Sequence, residues 1–137
     1  MEPKEQGPSG GVTPHITIRE RRAAEAIDWY KRAFGAEELA RTPTDDGRLM
    51  HAHLRINGGS LMLHDEFPEH MGGPSPPPAC LVLHLSVPDA DEAWKKALDA
   101  GADVRFELAD QFWGDRYGQI TDPFGFSWGI GAPIRRS

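Results

Sequence analysis

The chain holds six histidines, and five of them stand on strand-like stretches. His15 lies in "HITI", His51 and His53 in "MHAHLRI", His64 at the end of "LMLH" and His84 in "LVLHL". Side chains alternate between the two faces of a strand. With Leu49, Ala52, Leu54 and Ile56 serving mainly a helix-covered side, His51, His53 and Arg55 fall on the other. Leu61 and Leu63 likewise leave Met62 and His64 on that second face. Leu81, Leu83 and Leu85 leave Val82, His84 and Ser86 there. Five imidazoles therefore point toward concave surface. They would serve there as ligands of a divalent metal, or as hydrogen-bonding and stacking groups of a pocket. His70 falls in a loop and is expected in solvent.

Other chemistry is thin. Cys80 sits beside an apolar run and is expected to be a small buried hydrophobe. No "GxSxG" elbow and no Gly-rich phosphate loop ahead of a helix is present. Asp65, Glu66 and Glu69 form an acidic cluster whose spacing matches no EF-hand. Arg48 and Arg116 offer grips for an anionic substrate. "QFWGDRYG" places Phe112, Trp113 and Tyr117 within six residues, with Gln119 two further on. Such rings suit stacking on a planar ligand, and equally a core or a dimer interface. Trp94 falls on an apolar helix face, Trp29 beside one and half exposed, and Trp128 has the strand parity of Ile130.

These residues need a scaffold, and the chain spells one twice. "HITI" reads as a strand. Ala23, Ala26, Ile27, Tyr30 and Phe34 mark one helix face, stopped at Gly35. "MHAHLRINGGSLMLH" reads as two strands around a turn. Some 66 or 67 residues later the order returns: strand "LVLHLSV", a helix with Ala90, Ala93, Trp94, Ala97 and Leu98 on one face, a stop at Gly101, and "YGQITDPFGFSWGI" as a second strand pair. Asp89 and Glu92 suit the capping box of that second helix. The expected fold class is α+β: tandem βαβββ units forming curved mixed sheets around a cavity, with helices outside. Residues 1–12 read as a loose tail and 13–133 as one domain. Its modules are 13–66 and 80–133, joined by a Pro-rich connector, 67–79, expected to be neither helix nor central strand.

Length and charge narrow the partners. A chain of 137 residues suits one domain, and a net charge of −6 argues against nucleic acid. No apolar run approaches the ~20 residues of a membrane span. A single cysteine and an N-terminus without an apolar core suggest the cytoplasm.

The doubled unit, "AIDWYKRAFGAEEL", "VPDADEAWKKALDAGADV" and "DPFG" before the last strand together resemble the glyoxalase/bleomycin-resistance/dioxygenase superfamily, also called the vicinal oxygen chelate fold. "MHAHLRI", "LMLHDEFPE" and "DQFWGDRYGQITDPFG" are similar to its PhnB-like subgroup. The resemblance implies a cavity within curled sheets and a homodimer. In metal-dependent members it implies four ligands, on the first and last strands of each unit. Those positions map to His15, Met62, Val82 and Gly129, of which only His15 is a usual ligand. The resemblance thus favours a binding protein of the bleomycin-resistance type with no cofactor, sequestering a bulky aromatic or peptide antibiotic. His51, His53, Met62, His84, Phe112, Trp113, Tyr117 and Gln119 are its candidate ligand-binding residues. The alternative is a lyase, isomerase or dioxygenase-like enzyme holding a divalent metal at a shifted site of His15, His64 and His84.

Overall fold

The computed structural model describes residues 7–135. The elements run β1 (His15–Ile18), α1 (Ala23–Phe34), β2 (Glu37–Pro43), β3 (Leu49–Ile56), β4 (Gly59–Asp65), α2 (Pro68–Met71), β5 (Val82–Ser86), α3 (Ala90–Asp99), β6 (Asp103–Asp110), β7 (Asp115–Thr121) and β8 (Ser127–Pro133). Two four-stranded mixed sheets result, ordered β1-β4-β3-β2 and β5-β8-β7-β6. In each, the first strand pairs parallel with the last and the others pair antiparallel. This is the expected α+β fold of two βαβββ units. Residues 7–12 carry no helix or strand, and the rest of the expected tail, 1–6, lies outside the described residues. No helix among the described residues is long and apolar enough to cross a membrane.

The chain divides into two compact units, the second comprising Arg32–Phe34 and Pro77–Ser137. In the first unit, Ala23, Ala26, Ile27 and Tyr30 of α1 are buried, as are Ile16, Ile18, Leu54, Leu61 and Leu63 of its sheet. The helix ends as expected: Gly35 adopts φ 70°, and its N–H meets the Lys31 carbonyl. The β3–β4 hairpin turns on Asn57 and Gly58 at φ 47° and 88°, the left-handed pair that matches strand twist.

Asp65 locks this unit. It is buried, and its Oδ1 accepts the Ala23 N–H at 2.9 Å. Its Oδ2 accepts the Leu49 N–H at 2.7 Å. One carboxylate therefore caps α1, which has no side-chain cap of its own, and ties the start of β3 to the end of β4. Asp122 does the same work in the second unit. Its Oδ1 accepts the N–H groups of Phe124 and Phe126, each at 2.9 Å, and its Oδ2 accepts Trp128 Nε1–H at 2.9 Å. The "DPFG" turn and the start of β8 are thereby held as one piece.

Several local expectations are corrected. Trp29 is 3% exposed, not half exposed, with its indole edge-on to the Tyr30 ring at 5.7 Å. Cys80 is exposed and has φ 59°, a turn conformation that delays the strand to Val82. Leu81 is exposed for the same reason. The connector does hold a short helix, α2, because proline at N1 sacrifices only an N–H that no helical carbonyl would accept. The acidic cluster is already engaged. Glu66 accepts backbone N–H groups of Ser75 and Glu20, and Glu69 is paired with Arg48, which holds its carboxyl down at about 2.

Asp65→Ala leaves two buried N–H donors without an acceptor. The variant is expected to lose about 2–4 kcal/mol of stability in urea unfolding, clearly more than Glu69→Ala loses at the solvent-screened Arg48 pair.

Candidate functional site

Each unit presents one sheet face that its helix does not cover. In the first, register sets Met62 opposite both His15 on β1 and His53 on β3. His51 and His64 share this face. The His15 ring lies 4.8 Å from His64 and 6.2 Å from His51, edge to face in both pairs. Burial, then the neighbouring His64 and His51, push His15 below the ordinary histidine value. His64 has both nitrogens engaged, Nε2 with Thr17 Oγ1 at 3.2 Å and Nδ1 with the Asp65 carbonyl at 2.7 Å. His53 is fully buried, with Nε2 2.8 Å from Ser60 Oγ.

The second unit's face is aromatic. Tyr117 on β7 stacks on His84 of β5, with centroids 5.8 Å apart and planes 16° apart. Phe106 of β6 lies 6.3 Å from Tyr117, and Trp113, in the β6–β7 turn, 5.9 Å. Phe112 meets Trp113 edge-on at 5.1 Å. Trp113 is half exposed and Phe112 almost fully so. Gln119 Nε2–H donates to Tyr117 Oη at 2.9 Å.

Glycines in β8 make room for this arrangement. A Cβ at Gly129 would stand 2.6 Å from Tyr117 Oη and 2.8 Å from Cε1. At Gly131 it would stand 3.1 Å from His84 Cε1 and 3.3 Å from Tyr117 Cδ1. The tyrosine ring thus fills the space in front of both residues. Sequence spacing did not reveal this contact. The legible trace was two glycines at i and i+2 on one strand face, paired with a strand that carries a tyrosine.

The structure therefore brings His84, Tyr117, Gln119, Trp113 and Phe112 together in one unit. It places His51, His53 and Met62 together in the other. Register corrects one position: His84, not Val82, lies opposite Gly129, while Val82 lies opposite Ser127. Each unit so offers one first-strand histidine, His15 or His84, facing a residue that does not ligate hard or borderline metals, Met62 or Gly129. A divalent metal does not fit either donor set, and the Tyr117 ring stands where a Gly129 side chain would reach. Among the described residues no three His, Cys, Asp or Glu side chains are arranged to hold an ion. A further concavity of about 510 Å³ in the first unit lies off this face, between Arg48, Met50, Phe67 and Met71.

Gly129→Ala is expected to cost about 1–3 kcal/mol, because the methyl must displace a stacked ring. The same change in a Tyr117→Ala background should cost little. Urea unfolding of the four proteins gives the coupling, and simple additivity would contradict the packing described.

Comparison with known proteins accords with this geometry. A Mycobacterium bovis protein, Mb0911c, is 48% identical over 129 residues, spanning 90% of this chain and 84% of its own. The solved structure of TioX from Micromonospora sp. ML1 is 27% identical with a TM-score of 0.70, covering 90% of this chain and 100% of that one. PA1353 from Pseudomonas aeruginosa is 25% identical with a TM-score of 0.72, covering 91% and 98%. The family model described as Glyoxalase/Bleomycin resistance protein/Dioxygenase superfamily matches residues 13–130. The doubled βαβββ unit and that match together show that the chain belongs to the glyoxalase/bleomycin resistance protein/dioxygenase superfamily.

Proposed function

We propose that this chain is a metal-independent binding protein that holds a bulky, partly aromatic small molecule, of the peptide-antibiotic class, on the aromatic face of its second unit. The observation that carries this reading is the Tyr117 ring, laid over Gly129 and Gly131 and stacked on His84. A metal-ligand position has become a stacking platform. Half-exposed Trp113 and exposed Phe112 extend that platform at its open end. Flat rings with polar edges bind planar ligands through area and π contact, with Gln119 as a polar anchor.

Sequestration requires no bond chemistry. A drug held here cannot reach its target, and protection follows from affinity alone. On the first unit's own face, taken by itself, Met62 and His51 are proposed as apolar and polar ligand contacts, with fully buried His53 as their support. A homodimer is part of the proposal. It is supported by β6, whose Val104 and Phe106 are exposed large hydrophobics, since such patches mark interaction surfaces. A reducing, cytoplasmic setting is supported by the exposed free thiol of Cys80.

The other reading is an enzyme with a metal on relocated histidines. Its ligands would be His15, His64 and His84, of which His15 and His64 stand 4.8 Å apart, ring to ring, in the first unit. One measurement separates the two. Trp29, Trp94 and Trp128 are 3%, 9% and 4% exposed, whereas Trp113 is 51% exposed. Quenching of tryptophan emission therefore reports mainly on the proposed site. Titration with actinomycin D or bleomycin in excess EDTA should give saturable quenching that Trp113→Phe removes. Tyr117→Ala should weaken the affinity about tenfold. Quenching that EDTA abolishes and zinc restores would support the enzyme, and the absence of saturable quenching would defeat the binding account.

A further inference from the structure

A β-bulge sets the polar end of the aromatic face. On β6, Val104 pairs with Ile120 and Phe106 with Gln119, so Arg105 is an extra residue in the ladder. A bulge re-aims side chains that strict alternation would separate. Here both bulge residues reach the same face. Phe106 faces Tyr117, and Arg105 Nη1–H donates to Gln119 Oε1. Gln119 in turn donates to Tyr117 Oη. A guanidinium is thus fixed at the rim of the stacked rings through one amide.

Among the described residues this cation has no counter-charge. Arg116 is tied to Asp91 and Asp110, and Arg135 to Asp89. Among the described residues no carboxylate lies within ion-pair distance of Arg105, whose one hydrogen-bond partner is neutral. Arg105 also lines a concavity of about 370 Å³ with Cys80, Val82, Gly125 and Ser127, a size suited to a small ligand. The Val82–Ser127 pair lies two residues from the His84–Gly129 pair, on the same strand face. Aromatic platform, cation and concavity are therefore contiguous within one unit.

We infer that Arg105 determines specificity and that the site takes planar aromatic anions: the ring system on Tyr117 and His84, its carboxylate or comparable acid on the Arg105 guanidinium. This inference rests on the proposed aromatic binding site and adds the charge of its ligand. The planar fork of arginine donates to two oxygens of one acid group, which a neutral amide cannot match. Gln119 is a positioning residue, accepting from the guanidinium and donating to the phenol oxygen.

The test uses a matched probe pair, anthraquinone-2-carboxylate and anthraquinone-2-carboxamide, read by Trp113 quenching in EDTA with the full chain. The carboxylate is expected to bind about tenfold or more tightly than the amide, and added salt should shrink that preference. Arg105→Gln, on an exposed edge strand, should erase the preference by weakening the carboxylate about tenfold, to the level of the amide. Arg105→Lys should keep part of it. Equal affinity of the two probes for the parent protein overturns the role of Arg105 while leaving the aromatic site standing. A preference that survives Arg105→Gln overturns it in the same way. Failure of both probes to bind overturns the inference together with the aromatic site.

Discussion

The ring of Tyr117 lies against a strand that has given up two side chains. Gly129 and Gly131 could carry nothing larger without moving it. That packing sets the rest of the second unit's face. It brings the phenol flat onto His84 and lets Phe106 and Trp113 gather at its edges. It also fixes Oη where Gln119 can reach it. A side chain at 129 able to ligate a metal would have to displace the ring, so coordination and stacking exclude each other at this position. The interaction is affordable because the strand beneath is independently secured. Asp122 binds two backbone N–H groups and the Trp128 indole, so β8 keeps its place without help from residues on its open face.

The two units share a plan and differ in what they do with it. Both seat a helix on one sheet face and leave the other uncovered by that helix. In the first unit the open face is a set of imidazoles largely satisfied from within: His64 by Thr17 and a carbonyl, His53 by Ser60. A histidine whose two nitrogens already have partners must break one of those bonds to take up a metal, and that cost opposes coordination. The second unit's face retains exposed rings and a cation with no carboxylate in ion-pair distance among the described residues. Internal duplication has thus left one face built for stability and the other for contact.

Periodic elements were legible from the residues alone. β1 and α1 begin and end where alternation and the i, i+3, i+4 stripe place them, and Gly35 stops the helix as a left-handed cap. The Asn57–Gly58 hairpin follows from the two residues that tolerate positive φ. What failed depended on contacts distant in sequence. The register of β5 on β8 is fixed by pairing across more than forty residues, so spacing put Val82 where the ladder puts His84. Cys80 looked buried because its neighbours are apolar, yet its backbone turns away from the sheet. Trp29 lies beside the α1 stripe and is buried all the same, because the periodicity of one helix says nothing of what packs beyond its apolar face. The bulge at Arg105 leaves no mark in hydrophobic alternation, since one inserted residue reads as a local irregularity. The candidate residues were named; their grouping, and the ring over Gly129, needed the fold.

The central claim is that stacking has replaced coordination. Calorimetric titration of untagged, chelator-stripped protein with zinc, nickel and manganese addresses it most directly. The account predicts no stoichiometric high-affinity site for any of the three ions, and the same weak response in His84→Ala as in the parent chain. A one-to-one site abolished by His84→Ala would contradict it, as would a metal-dependent shift of the Tyr117 ring away from Gly129.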